Sequence, residues 1–207
     1  MGNIWEKIPL DDYEKHMSHP TVGQQQLLNV LTAKYLSRFR PGSLMCLGVS
    51  GGNGLEHVDS TLTRDVYAVD INPDYLRETD KRFGQRIDGL HLVQLDLAVA
   101  AAEIVKVDLC WAALIFEYLD VRQGFRFLQN NVIDEGHAAV TIQVNNGVTS
   151  VSQTGVETIK QVGQIFRIVD PTELLNAAAY HSFALVDEEE NFLPNGKSFK
   201  TFCFQKG

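Results

Sequence analysis

Four glycines, Gly48, Gly51, Gly52 and Gly54, follow directly on the apolar run "LMCL". A turn so free of side chains brings bare backbone close to something small. Two acids stand at comparable places further on. Asp70 ends the apolar run "VYAVD", 22 residues after Gly48, and Asp96 ends "LHLVQLD". A carboxylate at the first place can accept both hydroxyls of a ribose, and an acceptor at the second can meet the exocyclic amine of adenine. Either acid alone reads as a solvated strand end. Together with the glycine turn they make a nucleoside-shaped constellation.

Three ligands compete for such a turn. A phosphate loop needs Lys and Ser or Thr after its last glycine, and Leu55 and Glu56 stand there instead. A dinucleotide fingerprint needs glycine at 50 or at 57, positions that hold Ser50 and His57. The methionine end of S-adenosylmethionine fits better. Gly48 opens the turn, Gly52 and Gly54 let the backbone pass close, and a helix after the turn offers free N–H groups to a carboxylate.

The elements that must position these residues follow from periodicity. Strand-like runs are expected at 43–48, 66–70, 90–96, 107–114 and 138–144, with helices around 54–63, 73–84, 98–104 and 121–132. Runs apolar almost throughout, alternating with helices, imply parallel strands covered on both faces. Asp11 and Glu14 resemble a capping box opening a short helix over "DDYEKHM", and a second helix is expected over 21–39. Asn72-Pro73-Asp74-Tyr75 reads as a helix start, with proline in its first turn. After a helix near 171–180, "FALVDEEENFL" and "KSFKTFCFQ" are joined by Pro194-Asn195-Gly196, which predicts a hairpin and an antiparallel last strand. The expected fold is thus α/β, a doubly wound and mostly parallel sheet with helices on both faces.

Bulk properties narrow the partners. The chain has 207 residues, 44% hydrophobic and 21% charged, which suits one soluble globular domain. A formal net charge of −8 and the lack of any basic run argue against nucleic acid and favour a compact neutral or cationic substrate. Cys46, Cys110 and Cys203 fit neither a disulfide framework nor a metal-ligand spacing, so no metal is expected and a reducing compartment is inferred. No apolar run approaches the roughly 18 residues that span a bilayer, and no signal pattern opens the chain. The expectation is a cytoplasmic protein without membrane contact, a monomer or a homodimer.

From about residue 43 to 207 the chain resembles the class I S-adenosylmethionine-dependent methyltransferases. "CLGVSGGNG", "YAVDIN", "VQLDLA" and "VDLCWAALIFEYLD" stand in the order of that family's first four motifs, and the closing hairpin matches its antiparallel seventh strand. The resemblance implies a seven-stranded Rossmann-like sheet and S-adenosyl-L-methionine as cofactor. It assigns cofactor contacts to Gly48, Val49, Ser50, Gly52, Asn53, Gly54, Asp70, Ile71, Asp96, Leu97 and Ala112. Tyr118 falls where many relatives have a His beside the active site. Two positions depart from the pattern: Cys46 replaces an acid that helps hold the methionine amino group, and Ser50 replaces the middle glycine.

Methyl transfer from a sulfonium is an in-line displacement, so the protein mainly aligns the acceptor and excludes water. A base is needed only where the acceptor carries a proton at neutral pH. Acceptor recognition is expected from outside the core. One region is a helical cap over 1–40, with Tyr13, His16 and Gln24 as substrate contacts and His16 as candidate base. The other is the polar insert 145–170, able to fold over the strand ends as a lid. Tyr118 is the second candidate catalytic and substrate residue, and Trp111 is expected in the core. The core proper is expected over 43–144 and the final helix and hairpin over 171–207. These readings describe a methyltransferase acting on a small molecule. A silent module that binds S-adenosylmethionine or S-adenosylhomocysteine, and an NAD(P)-dependent oxidoreductase, stand behind it.

Overall fold

A computed structural model describes residues 3–99 and 103–207. Seven strands form one sheet: β1 (Ser43–Leu47), β2 (Asp65–Asp70), β3 (Leu90–Gln94), β4 (Val107–Ala113), β5 (Val132–Val144), β6 (Phe183–Phe192) and β7 (Ser198–Lys206). Their order is β3-β2-β1-β4-β5-β7-β6. β1 to β5 pair in parallel, and β7 lies antiparallel between β5 and β6. The order reverses beside β1, where β1 lies between β2 and β4. That is the switch point at which open α/β sheets bind ligands.

Strand alternation sorts the core into two layers. Met45 and Leu47 of β1 face one side with Cys110 and Ala112 of β4 and Phe202 and Phe204 of β7, under α4 (Val121–Asn131) and α5 (Pro171–Tyr180). Leu44 and Cys46 face the other side with Leu109, Trp111 and Cys203, under α2 (Gln24–Phe39) and α3 (Pro73–Phe83). The short helix α1 (Leu10–Met17) lies at the carboxyl ends of the strands, with Met17 buried in the second layer. Trp111 is core, as expected, and all three cysteines are buried free thiols.

Side-chain caps start three helices. Asn72 accepts from Asp74 N at 2.9 Å, Asp120 from Gln123 N at 2.9 Å and Asp170 from Thr172 N at 2.7 Å. The proline reading of Asn72-Pro73 holds, since Pro73 sits in the first turn of α3.

Four expectations need correction. The helix expected over 54–63 is only a single 3-10 turn, Leu55–His57. Local polar bonds compete with it: Glu56 Oε2 accepts from Gly54 N at 2.8 Å and Asp59 Oδ1 from Thr61 N at 2.9 Å, which folds the segment back on itself. The Asp11–Glu14 capping box does not form, because the cap position of α1 is Pro9 and Glu14 bonds Arg82 instead. α2 starts at Gln24, later than expected, because Gly23 takes a left-handed conformation with φ 65°. β5 begins at Val132 rather than 138, with Glu135 at positive φ and a register irregularity against β4. The helix expected over 98–104 includes residues 100–102, which lie outside the described ones; residues 97–99 form a turn and 103–106 are irregular.

Phe125 ties α4 to the far half of the sheet. It is fully buried, 5.4 Å from the rings of both Phe116 and Phe204 and 5.8 Å from Phe183. We expect Phe125→Ala to lower unfolding free energy by about 3–5 kcal/mol, read from urea denaturation, through lost burial and the cavity left behind. A loss below about 1 kcal/mol would show that this ring cluster does not hold α4 in place.

Candidate active site

The turn after β1 is fastened to the end of β2. Gly48 N and Val49 N both donate to Val69 O, at 2.9 and 3.1 Å, and Ser50 N donates to Asp70 Oδ2 at 2.8 Å. The other oxygen of Asp70 accepts from Asn72 N at 2.9 Å. Asp70 is only 7% exposed, and burial raises its pKa even though backbone N–H groups favour the charged form. Each oxygen keeps a lone pair for a further donor. Gly48 has φ 66°, and a Cβ there would lie 3.2 Å from Ile115 Cδ1, so the residue must be bare for backbone reasons and for space.

The later glycines serve a different end. A Cβ at Gly52 would come 2.6 Å from the ring of Phe83, and one at Gly54 would come 2.7 Å from Thr32. Packing of α3 and α2 against the turn accounts for both. Neither glycine lines the main cavity.

That cavity lies beyond the carboxyl ends of the strands and encloses about 1140 Å³, its open mouth included. One end is lined by Gly48, Ser50, Asp70, Ile71, Asp96 and Leu97, six of the positions assigned from sequence. Asp96 is half-buried, its Oδ1 accepting from Ala98 N at 2.9 Å. Tyr13, His16, Gln24 and Tyr118, the four positions assigned to the acceptor, line the same cavity, with Tyr13 beside Asp70 and Ser50. Of the remaining cofactor positions, Val49 and Asn53 line a smaller cavity on the far side of the turn. Ala112 lies in the core under α4 and its neighbour Ala113 faces the cavity, because successive strand residues alternate faces. Tyr13, Met17, Gly48, Ser50 and Ala113 border both cavities. Cys46 also borders the smaller one, where burial pushes its thiol up to about 12.

The acceptor end pairs an aromatic wall with a buried polar chain. Trp5 meets Tyr13 and Tyr118 edge to face, at 6.0 and 5.1 Å between ring centres, and Tyr118 meets Phe166 in the same way at 6.0 Å. Gln24 Nε2 donates to Gln143 Oε1 at 2.7 Å, and Gln143 Nε2 donates to Asn145 Oδ1 at 2.6 Å and to Ser150 O at 3.0 Å. Lys197 Nζ reaches the same Ser150 O at 2.6 Å. His16 Nδ1 bonds Thr154 Oγ1 at 2.7 Å, and burial, reinforced by Lys197 and His19, lowers its pKa to about 4. The imidazole is therefore neutral at pH 7. Burial raises the Tyr118 hydroxyl above its ordinary range, aided by Glu117 and Tyr13, so it stays protonated.

Sequence reasoning missed Trp5, Gln143, Phe166 and Lys197. Trp5 and Phe166 lie in stretches without periodicity, and Lys197 reads as the first residue of the strand-like run "KSFKTFCFQ". The N-terminal segment and the 145–170 insert close on each other over this end. Ile8, Val156, Ile159 and Val162 form a separate apolar cluster, and Thr158 Oγ1 donates to Asp12 Oδ2 at 2.7 Å.

The sheet order and the cavity invite comparison with solved structures. Geranyl diphosphate C-methyltransferase from Streptomyces coelicolor A3(2) superposes with a TM-score of 0.69 at 13% identity, over 90% of this chain and 84% of its own. The fold is the Rossmann-like methyltransferase fold. Magnesium protoporphyrin IX methyltransferase from Synechocystis PCC 6803 gives 0.67 at 12% identity, over 95% and 93% of the two chains. The [4+2]-cyclase SpnF gives 0.68 at 12% identity, over 87% and 82%, so this fold also carries a cyclase. No protein-family model and no curated protein matches the sequence. No helix among the described residues is long and apolar enough to cross a membrane.

Glu117 gives a test of the site's electrostatics. It is 1% exposed, its Oε1 accepts from Gln143 N at 2.7 Å, and its Oε2 has no partner among the described residues. Burial raises its pKa to about 7. The folded state then holds a proton that the unfolded chain releases above its ordinary 4.5, so this group's contribution to stability falls as pH rises from 4.5 to about 7. We expect Glu117→Gln to gain stability relative to the parent across that interval in thermal melts. Parallel curves for the two proteins would refute the burial argument.

Proposed function

We propose that this protein transfers a methyl group from S-adenosyl-L-methionine to a small-molecule acceptor. The observation that carries the reading is the cavity at the switch point, lined by Asp70 and Asp96 together with aromatic rings, amides and one buried lysine. The residues present suit the cofactor's nucleoside. Asp70 keeps lone pairs for ribose hydroxyls, Asp96 and Leu97 stand at the adenine position, and Ile71 supplies an apolar wall. Bare Gly48 leaves room for the sulfonium end, and Ser50 Oγ, buried beside Tyr13, offers a polar contact there. When bound, the cofactor would supply an activated methyl group.

This chain's own residues then align and enclose. Tyr118 and Trp5 orient the acceptor, the apolar contact between the two covering segments excludes water, and neutral His16 takes a proton where the acceptor carries one. Three free thiols support a reducing, cytoplasmic setting. The silent-binder reading draws on two features. Only a single 3-10 turn follows the glycine turn, and Tyr13 and Met17 border both cavities, where a methionine tail would pass.

Calorimetry should show binding of S-adenosylhomocysteine and none of NADH. Asp70→Asn should weaken S-adenosylhomocysteine by about 1–3 kcal/mol, since one acceptor of the ribose becomes a donor. Binding of NADH alone would overturn the reading. With methyl-labelled cofactor and an acceptor in hand, His16→Ala should lower kcat by roughly 10²–10⁴ while leaving S-adenosylhomocysteine affinity intact. An unchanged rate would remove His16 as base, and absence of labelled product across acceptors would favour the silent binder.

A further inference from the structure

Within the acceptor end of the cavity, Lys197 has no counter-charge. It is 1% exposed and lines the cavity, and none of the ion pairs among the described residues includes it. Its Nζ donates to Ser150 O at 2.6 Å and to Ser152 Oγ at 3.1 Å, two of the three N–H bonds an ammonium can make. Among the described residues the acids that line the cavity are Asp70 and Asp96, and neither bonds Lys197. A buried charge without a partner is costly, and burial accordingly lowers this amine's pKa to about 8, which still leaves it mostly protonated at neutral pH.

The position is built rather than incidental. Asn195 Oδ1 accepts from Lys197 N at 3.1 Å, Asn195 Nδ2 donates to Ser152 Oγ at 3.1 Å, and Asn146 Nδ2 donates to Gly196 O at 3.2 Å. The tip of the β6–β7 hairpin is thereby clamped to the 145–152 segment, with the ammonium turned inward.

We propose that Lys197 anchors the acid group of the acceptor, so that the substrate is an organic monoanion, a carboxylate on an aromatic or apolar body. One charge and one remaining N–H match one carboxylate, and a charge-assisted bond of this kind is among the stronger contacts a site can make. The body lies against Trp5, Tyr118, Val162 and Phe166, which line the same end. This assignment rests on the methyltransferase reading for its meaning as acceptor recognition. It replaces the expectation of a neutral or cationic substrate drawn from the net charge of −8. The overall field acts at long range and is screened by salt, whereas a buried ammonium acts on contact.

The test titrates sodium benzoate, benzamide and benzylamine into the protein, with and without saturating S-adenosylhomocysteine, by calorimetry. Benzoate should bind at least about tenfold more tightly than its neutral isostere benzamide, and benzylamine should not bind. Lys197→Gln keeps N–H donors for Ser150 O and Ser152 Oγ while removing the charge. It should bring benzoate to within about twofold of benzamide and leave S-adenosylhomocysteine affinity unchanged. Equal binding of the three probes, absence of benzoate binding, a preference that survives in Lys197→Gln, or an equal loss of benzoate and S-adenosylhomocysteine would each overturn the proposal. If Lys197→Gln fails to fold, the ranking of the three probes on the unaltered protein decides. Failure of S-adenosylhomocysteine to bind while benzoate is still preferred would remove the methyltransferase reading and leave the anion site standing.

Discussion

The carboxylate of Asp70 is the joint on which the site turns. Through Ser50 N and Asn72 N it ties the turn after β1 to the turn after β2 at the switch point of the sheet. Two loops that line the cavity are thus held by one buried acid. Such preorganisation places the cost of ordering in the fold, before a cofactor arrives. The same acid keeps lone pairs open to the cavity, so one side chain both clamps the two turns and lines the cavity.

The covering segments solve a second problem. A cavity at the strand ends is open to water unless something spans it, and here two polar stretches meet through the small apolar cluster of Ile8, Val156, Ile159 and Val162. Their polar partners, Asp12 with Thr158 and His16 with Thr154, are contacts across more than 130 residues of sequence. Such contacts are fewer than those of the sheet core, which suits a part of the molecule that must admit a substrate.

The charge pattern inside the cavity is mixed, against the net negative charge of the whole. Asp70 and Asp96 line the cavity together with a buried ammonium, a neutral imidazole and amides. The fold permits more than one chemistry, as the cyclase among its structural neighbours illustrates. What separates one reaction from another on this scaffold is therefore the lining of the acceptor end rather than the sheet.

From sequence alone came the alternating strands and helices, the antiparallel close, and the acids at 70 and 96, because periodicity and strand-end position are local signals. The glycine turn was legible as a site, but the reason for its later glycines was not: Phe83 and Thr32 occupy the space that a ligand was expected to take. The helix after the turn was lost to Glu56 and Asp59, whose side chains bond nearby backbone. Trp5, Phe166 and Lys197 reach the cavity only through long-range packing of the N-terminal segment, the insert and a hairpin tip, and Gln143 at the end of β5 is joined to Gln24 across the fold. The sequence by itself determined the sheet and the nucleoside end, since neighbouring residues decide both. Only the tertiary structure decided the acceptor end, because its charge and its aromatic wall come from segments that meet in space and nowhere along the chain.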